Sequence, residues 1–429
     1  MGEPPLGPDA ESFHRFHKVV LPRRIAVGNG ALAHTDLHRL GTLAVRTPAG
    51  AYTYLPTTAP DGDSDDAAAG TIEVVEGDEC ADSVVELDLE SWLGLISDLD
   101  TAPGLFYGGR ATVPHGNPMR FVRWEPGLRA LFHGLPVFDP DTADLRDLGG
   151  EPLDVTRTFP YRELADSPQV AAEARHFLTT AGYVVVKAVF APEEVARLRA
   201  AADAAEAAAR PGDEMSWWGR LESGEQVLTR VLNAAAQPGL ASLPHDERLH
   251  TIVAVSPEPL VVKGEGQRDT VTVLWKRKHV AEGLADLPWH RDCGMGGHAT
   301  NCPMTVMTIC LTDGSAGSGE LRTLPGSHRG SYPFVDGRDV HAPEGVHVDV
   351  TAGDVSLHYS DVMHASLPPT DDLLDGGPAP ERISVLLGFV RPTYSNHLGR
   401  SHYNDVLLGN VDGQVDHLAD RLGATRYTR

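Results

Sequence analysis

The chain reads as an α+β protein in two parts: a C-terminal double-stranded β-helix (jelly-roll) barrel with flanking helices, preceded by a small N-terminal α/β domain. Three observations predict this. At 429 residues the chain is too long for one ordinary hydrophobic core, so two domains are the default. A stretch rich in Asp, Gly and Pro, from Phe138-Asp-Pro-Asp-Thr to Glu151-Pro-Leu, has the composition of a linker. From Thr251 onward, short β-branched runs follow one another with turn residues between them, the pattern of a jelly roll. The expected divisions are 1–20 for a poorly ordered terminus, 21–140 for the first domain, 141–160 for the linker, and 161–429 for the barrel with a C-terminal extension.

Within the first domain, Leu43-Ala-Val-Arg-Thr-Pro-Ala-Gly-Ala-Tyr-Thr-Tyr54 reads as a hairpin, and the Asp- and Ala-rich run 61–70 as a polar loop. Thr71-Ile-Glu-Val-Val75 and Ser83-Val-Val-Glu-Leu-Asp-Leu89 read as strands. Leu89-Glu-Ser-Trp-Leu-Gly-Leu-Ile96 opens a helix, and residues 119–135 form another. The second domain begins with a helix over 169–181, then the β-branched strand Gly182-Tyr-Val-Val-Val-Lys-Ala-Val-Phe190. A further helix starts at Ala191-Pro-Glu-Glu, with Pro near its first position and acids in its first turn, and runs to about Arg210. Barrel strands are expected over 252–255, 271–278, 304–311, 319–324, 346–350, 355–359 and 383–390.

Composition narrows the function. Hydrophobic residues at 41% and charged ones at 22% are those of a soluble globular protein. No apolar run approaches the ~20 residues that cross a bilayer, and Met1-Gly-Glu-Pro-Pro5 lacks the basic and apolar regions of a secretory leader. Cys80, Cys293, Cys302 and Cys310 contain no CxxC pair, so reduced thiols in a cytoplasm are expected. A net charge of −24 argues against nucleic acid and against an anionic membrane as partners. The excess of Arg over Lys, with abundant Ala, Gly and Pro, points to a high-GC genome.

The chemistry centres on Leu287-Pro-Trp-His290-Arg-Asp292, followed far downstream by Gly353-Asp354 and His364. Two imidazoles and one carboxylate can hold non-haem Fe(II) on one face, leaving the other positions for a co-substrate and O2. Such triplets are cheap in a chain with 20 His and 60 acidic residues. His34-Thr-Asp36, His245-Asp-Glu247 and His347-Val-Asp349 have the same form and read as solvated turns or strand ends. Context separates His290 from them.

That context is an ordered set of motifs: Gly182-Tyr-Val-Val-Val, Phe190-Ala-Pro-Glu-Glu-Val, the His290-x-Asp292 triplet, Gly319-Glu-Leu-Arg-Thr-Leu-Pro-Gly-Ser-His328, Gly353-Asp354, His364-Ala-Ser366 and Arg382. Over roughly residues 165–400 the chain resembles the phytanoyl-CoA dioxygenase family of Fe(II)/2-oxoglutarate oxygenases. The resemblance implies Fe(II), 2-oxoglutarate and O2, with succinate and CO2 released. It implies His290 and His364 as neutral imidazole ligands and Asp292 as the anionic one. His358 lies on the same strand, but the family spacing favours His364. Arg382 would pair with the distal carboxylate of 2-oxoglutarate, which a planar guanidinium suits, and Ser366 would add a hydroxyl. Arg382 stands 18 residues after His364, farther than is usual in the family, and the Pro- and Gly-rich run 368–380 accounts for the excess as an inserted loop. Lys276, Arg277 and Lys278 are the alternative basic partners. Because Asp292 is present where related halogenases carry a small residue, hydroxylation, desaturation or ring formation is expected over halogenation.

The first domain resembles the sterol-carrier-protein-like fold in the order hairpin, strand, Asp88-Leu-Glu-Ser-Trp-Leu93 helix, Phe106-Tyr-Gly-Gly-Arg110 and a closing helix with Leu128, Leu131 and Leu135. Such a domain implies an apolar tunnel, a docking module or a plain appendage. It is expected to pack against the barrel and to add no residue to the metal set, so that a fragment starting near Gly150 keeps the site. Among the remaining residues, Pro325-Gly-Ser-His328 reads as a shaping turn and Cys293 as a small core residue. Trp217-Trp218-Gly-Arg220 reads as core or lid on an irregular stretch, and Tyr394-Ser-Asn-His-Leu-Gly-Arg400 as a closing segment or a tail.

The expected function is hydroxylation of an unactivated C–H of a small metabolite in bacterial specialised metabolism, with a homodimer or carrier protein as further partner. A CoA thioester calls for a basic phosphate cradle that this acidic chain is poor in. The alternatives are a lipid- or carrier-binding scaffold without turnover, and an oxygenase acting on an acyl-CoA or lipid.

Overall fold

The computed structural model describes residues 5–58, 70–213, 215–264, 270–282, 287–292, 304–314, 317–331, 343–366, 369, 373–374, 377–378 and 381–392. The C-terminal run 394–400, Cys293, Cys302, the polar loop before Gly70 and most of the inserted loop 368–380 lie outside them. Among the described residues no helix is long and apolar enough to cross a membrane. Cys80 and Cys310 are free thiols.

The first part holds a five-stranded sheet in the order Gly70–Glu76, Gly50–Thr58, Leu43–Thr47, Ser83–Leu87, Ala111–His115. Leu43–Thr47 pairs with Ser83–Leu87 in parallel, and the other pairs are antiparallel. The expected hairpin forms with Thr47 opposite Gly50. The helix Pro118–His133 is capped by the Asn117 side chain, which accepts from the Met119 N–H, and ends at Gly134 with φ 68°. Trp92, Trp124, Tyr54 and Phe132 fill the core beneath it.

One expectation fails at the N-terminus. Where the Pro- and Gly-rich start suggests poor order, helix begins at Ala10, with Asp9 accepting from the Ser12 N–H, and continues with irregular turns to Leu37. The reason is Phe13 and Phe16, three apart on one helical face and wholly buried. The prolines dominate the composition only up to residue 8.

The second part is the expected jelly roll. Its large sheet runs Val280–Glu282, Ser216–Leu221, Gln226–Val231, Val271–Lys276, Arg382–Val390, Thr305–Cys310, Val355–Tyr359, Tyr183–Lys187, Phe159–Pro160. The small sheet runs Leu287–His290, His364–Ser366, Leu321–Thr323, Val346–His347. Two readings need correction. Residues 252–255 are not a strand: helix Glu247–Val253, capped by Asp246, covers the first of them and buries Leu249, Ile252 and Val253, which recur at helical rather than alternating spacing. Trp217 and Trp218 lie on the antiparallel hairpin Ser216–Leu221/Gln226–Val231, with a register shift between the two, where the sequence suggests a long irregular stretch. Trp217 and Leu232 from this hairpin complete the core of the first part.

Candidate metal and co-substrate site

His290 ends one strand of the small sheet and His364 begins its neighbour, and the two stand directly opposite in the antiparallel register. Their ring centroids are 4.2 Å apart. On the strand His364–Ser366, successive side chains alternate. Met363 and Ala365 pack outward with Trp289 and Leu324, which leaves His364 and Ser366 facing the other way. Asp292 closes the group: its Oδ1 lies 3.6 Å from His290 Nε2 and 3.7 Å from His364 Nε2. One ligand atom from each of the three falls within 4.8 Å of the others. Among the described residues no other group of three such side chains does so, and the His34, His245 and His347 triplets form no such cluster.

The hydrogen bonds prepare the donors. His364 Nδ1 donates to the Val362 carbonyl at 3.0 Å, which leaves the Nε2 lone pair on the Asp292 side. Burial, and then His290, push the His364 imidazole down to about 3. Burial works against ionisation of Asp292, but His364, His290 and His358 outweigh it and hold the carboxyl well below the usual carboxylate range. A carboxylate between two imidazoles is the donor set a divalent transition metal takes.

His358 has a part that sequence reading misses. Its Nε2 reaches Asp292 Oδ2 at 3.4 Å, a long contact, while Oδ1 faces His290 and His364. The carboxylate is thus offered through one oxygen and steadied through the other. The signal is a second histidine six residues before His364 on the buried strand Val355–Tyr359.

Two turns set these strands in place. Asp354 Oδ1 accepts from the Ala188 N–H at 2.8 Å, and its Oδ2 accepts from the Thr351 N–H at 2.6 Å and pairs with Lys187 at 2.7 Å. Gly353 has φ 94°, and a Cβ there would meet the Phe190 carbonyl oxygen at 2.4 Å. The Gly-Asp motif is therefore architectural. Ser327 donates to the Leu324 carbonyl and accepts from the Met363 N–H at 2.8 Å, one residue before His364. His328, pushed down to about 4 by burial, contacts the Thr179 carbonyl at 3.1 Å and shapes this turn, away from the ligands.

Arg382 lies deep in the barrel wall. Its Nη2 donates to Ser366 Oγ at 2.7 Å, and its Nε has no partner among the described residues. Burial pulls its charge down, against the pull of Cys310 and Glu320. Lys276 stands opposite Arg382 across the strand pair and donates to the Ser366 carbonyl at 2.8 Å. Arg277 turns away, to Glu206 and Glu381 at the surface. A buried guanidinium with an idle N–H, next to a hydroxyl two residues from His364, suits a dicarboxylate that also reaches the metal.

Two histidines and one aspartate converging on the small sheet of a jelly roll form a donor set that a non-haem metal could take. Residues 178–372 match the family model described as phytanoyl-CoA dioxygenase (PhyH). Among solved structures, AviO1 from Streptomyces viridochromogenes Tue57 shares 24% identity over 52% of this chain and 96% of its own, with a TM-score of 0.40. SnoK, a non-heme alpha ketoglutarate dependent carbocyclase from nogalamycin biosynthesis, shares 25% over 53% and 89%, with a TM-score of 0.40. EctD from S. alaskensis, crystallised with 2-oxoglutarate and 5-hydroxyectoine, shares 21% over 60% and 86%, with a TM-score of 0.40. No curated protein matches the chain.

Proposed function

We propose that this protein is an Fe(II)- and 2-oxoglutarate-dependent oxygenase that hydroxylates an unactivated C–H of a small metabolite in bacterial specialised metabolism. The observation that carries the reading is the opposition of His290 and His364 with Asp292 Oδ1 between their Nε2 atoms. Bound iron with 2-oxoglutarate and O2 supplies the oxidising power, with succinate and CO2 as by-products. The chain's residues do the rest. His290, Asp292 and His364 hold the metal, and His358 fixes the unused carboxylate oxygen. Arg382 and Ser366 bind the far carboxylate of 2-oxoglutarate, and the Lys276 ammonium beside them adds to the positive field. This orients the co-substrate before the target carbon arrives.

The net charge of −24 favours a small substrate over a multiply phosphorylated CoA thioester. The first part, with its hairpin, strand and helix order, supports a sterol-carrier-type reading, and we assign it a structural and docking role, with dimer or carrier contacts as its expected use. Anaerobic loading with Fe(II) and 2-oxoglutarate, followed by exposure to O2, tests the proposal: iron near one per chain and succinate formation are expected. Iron-free protein that forms no succinate would leave the binding-scaffold reading.

A further inference from the structure

Arg291 sits between the ligands His290 and Asp292, and its side chain points the opposite way. Alternation sends 290 and 292 to the interior and 291 to the outside of the small sheet. Outside, Arg291 meets the helix Pro118–His133 of the first part. Its Nη2 lies 3.9 Å from Glu125 Oε1, with both side chains 5% exposed. Glu125 Oε2 accepts from the Ala102 N–H at 2.6 Å, and its Oε1 lies 3.8 Å from Arg129 Nε. Arg129 in turn donates to Asp98 Oδ1 at 3.0 and 3.1 Å. From the barrel side Asp361, three residues before His364, also acts on the Arg291 charge.

The cluster therefore joins two guanidinium groups and the carboxylates of Glu125 and Asp98, it meets the segment between His290 and Asp292, and it feels the charge of Asp361 on the segment before His364. Burial, then Arg129, bring Arg291 down to about 10, while burial pushes Glu125 and Asp98 up. Packing alone does not call for this, because apolar side chains of similar volume make an interface at least as stable. What a buried ion cluster adds is orientation: each charge has few places where it is compensated.

We infer that the first part of the chain positions the metal site, with Glu125 acting through Arg291 to fix the backbone between His290 and Asp292. The inference rests on reading His290, Asp292 and His364 as metal ligands. It runs counter to the expectation that the first part is dispensable for the site, and it makes Glu125 and Arg291 positioning residues.

The test is a Co(II) titration of the full-length protein followed by visible absorption, which reads affinity and coordination geometry together. Glu125→Gln keeps the size and the acceptor for Ala102 but removes the charge facing Arg291. It is expected to weaken Co(II) binding about tenfold or more and to change the ligand-field bands, with Glu125→Asp recovering part of both. In an Arg291→Gln background, Glu125→Gln should have little further effect, because the two act as a unit. If Glu125→Gln fails to fold by circular dichroism, Arg291→Gln alone decides, since it leaves the Glu125–Arg129–Asp98 contacts intact. Co(II) affinity and spectrum unchanged in folded Glu125→Gln or Arg291→Gln protein would overturn the inference and leave the ligand assignment standing. Wild-type protein that takes up no Co(II) would overturn the ligand assignment, and this inference with it.

Discussion

Lys276 and Arg382 occupy one register position on adjacent strands of the large sheet, both buried and both bonded to Ser366, one at its carbonyl and one at its hydroxyl. Two cations this close inside a barrel repel each other unless an anion lies against them. Glu320 acts on the Arg382 charge from within the chain, and a dicarboxylate co-substrate, if bound as proposed, would bring a further anion to the pair.

Arg382→Ala should raise the KM for 2-oxoglutarate roughly 100-fold or more, because deleting one partner of a buried charged pair costs ~3–5 kcal/mol. Lys276→Met should raise it less, since Lys276 lacks the forked geometry. Steady-state succinate assays over a range of 2-oxoglutarate decide this. A KM that does not move in Arg382→Ala removes that residue from the co-substrate site.

His358→Phe removes the N–H facing Asp292 Oδ2 while keeping a flat ring of similar size. Fe(II) affinity should fall about tenfold, and His358→Gln, which restores an N–H donor, should recover part of it. If His358→Phe instead abolishes binding as completely as His364→Ala, His358 is itself a ligand.

Gly353→Ala should destabilise the fold by roughly 2–4 kcal/mol, through positive φ and a clash with backbone that cannot swing aside. Urea unfolding measures this. A loss below about 0.5 kcal/mol would mean the turn before His364 is more tolerant than its geometry implies.

The first part of the chain should make stability fall in acid. His17 is buried, with Nδ1 donating to the Phe13 carbonyl and Nε2 facing the Tyr54 hydroxyl, both at 2.8 Å. Burial brings it from 6.5 down to about 3. The unfolded chain therefore takes up a proton below pH 6.5 that the folded chain refuses until about pH 3. Its contribution is full above pH 6.5 and is lost as pH falls through that window, by up to about 5 kcal/mol. His133 and His328, each pulled down to about 4 chiefly by burial, add slope of the same sign. His17→Gln should flatten the dependence of melting temperature on pH between 7 and 4. A wild-type slope in that variant would locate the acid sensitivity elsewhere.

Much of the site was legible because its chemistry restricts residue types. The His290-x-Asp292 triplet stands out from three others of the same form only through the ordered motifs around it, and Gly353-Asp354 announces a turn that needs both side-chain acceptors and a missing Cβ. Lys276 carried its own signal, a lysine closing the apolar run Val271-Thr-Val-Leu-Trp. The contacts that were not legible are long-range and charged. Glu125 and Arg129 are four apart on a helix, a spacing that an exposed ion pair also has, and no local pattern marks Arg291. Nothing local tells that these faces are pressed together. The same holds for Trp217, whose burial depends on a helix nearly a hundred residues earlier. Helix Glu247–Val253 was misread for a local reason: Ile252 and Val253 suit a strand by composition, and only Leu249 and the Asp246 cap reveal the helical period.

The seating of Trp217, Leu232 and Arg291 against the first part also bears on how the chain is made. Emerging from the ribosome N-terminus first, the helix with Glu125 and Arg129 appears some 160 residues ahead of Arg291. At ~5–20 residues per second that is a wait on the order of 10–30 seconds. Meanwhile the aromatic core lacks its tryptophan lid, and the charges at 125 and 129 face only each other and Asp98. The first part is thus synthesised before the residues that complete its core and its charge cluster, and Arg291 is added together with the histidine and aspartate beside it.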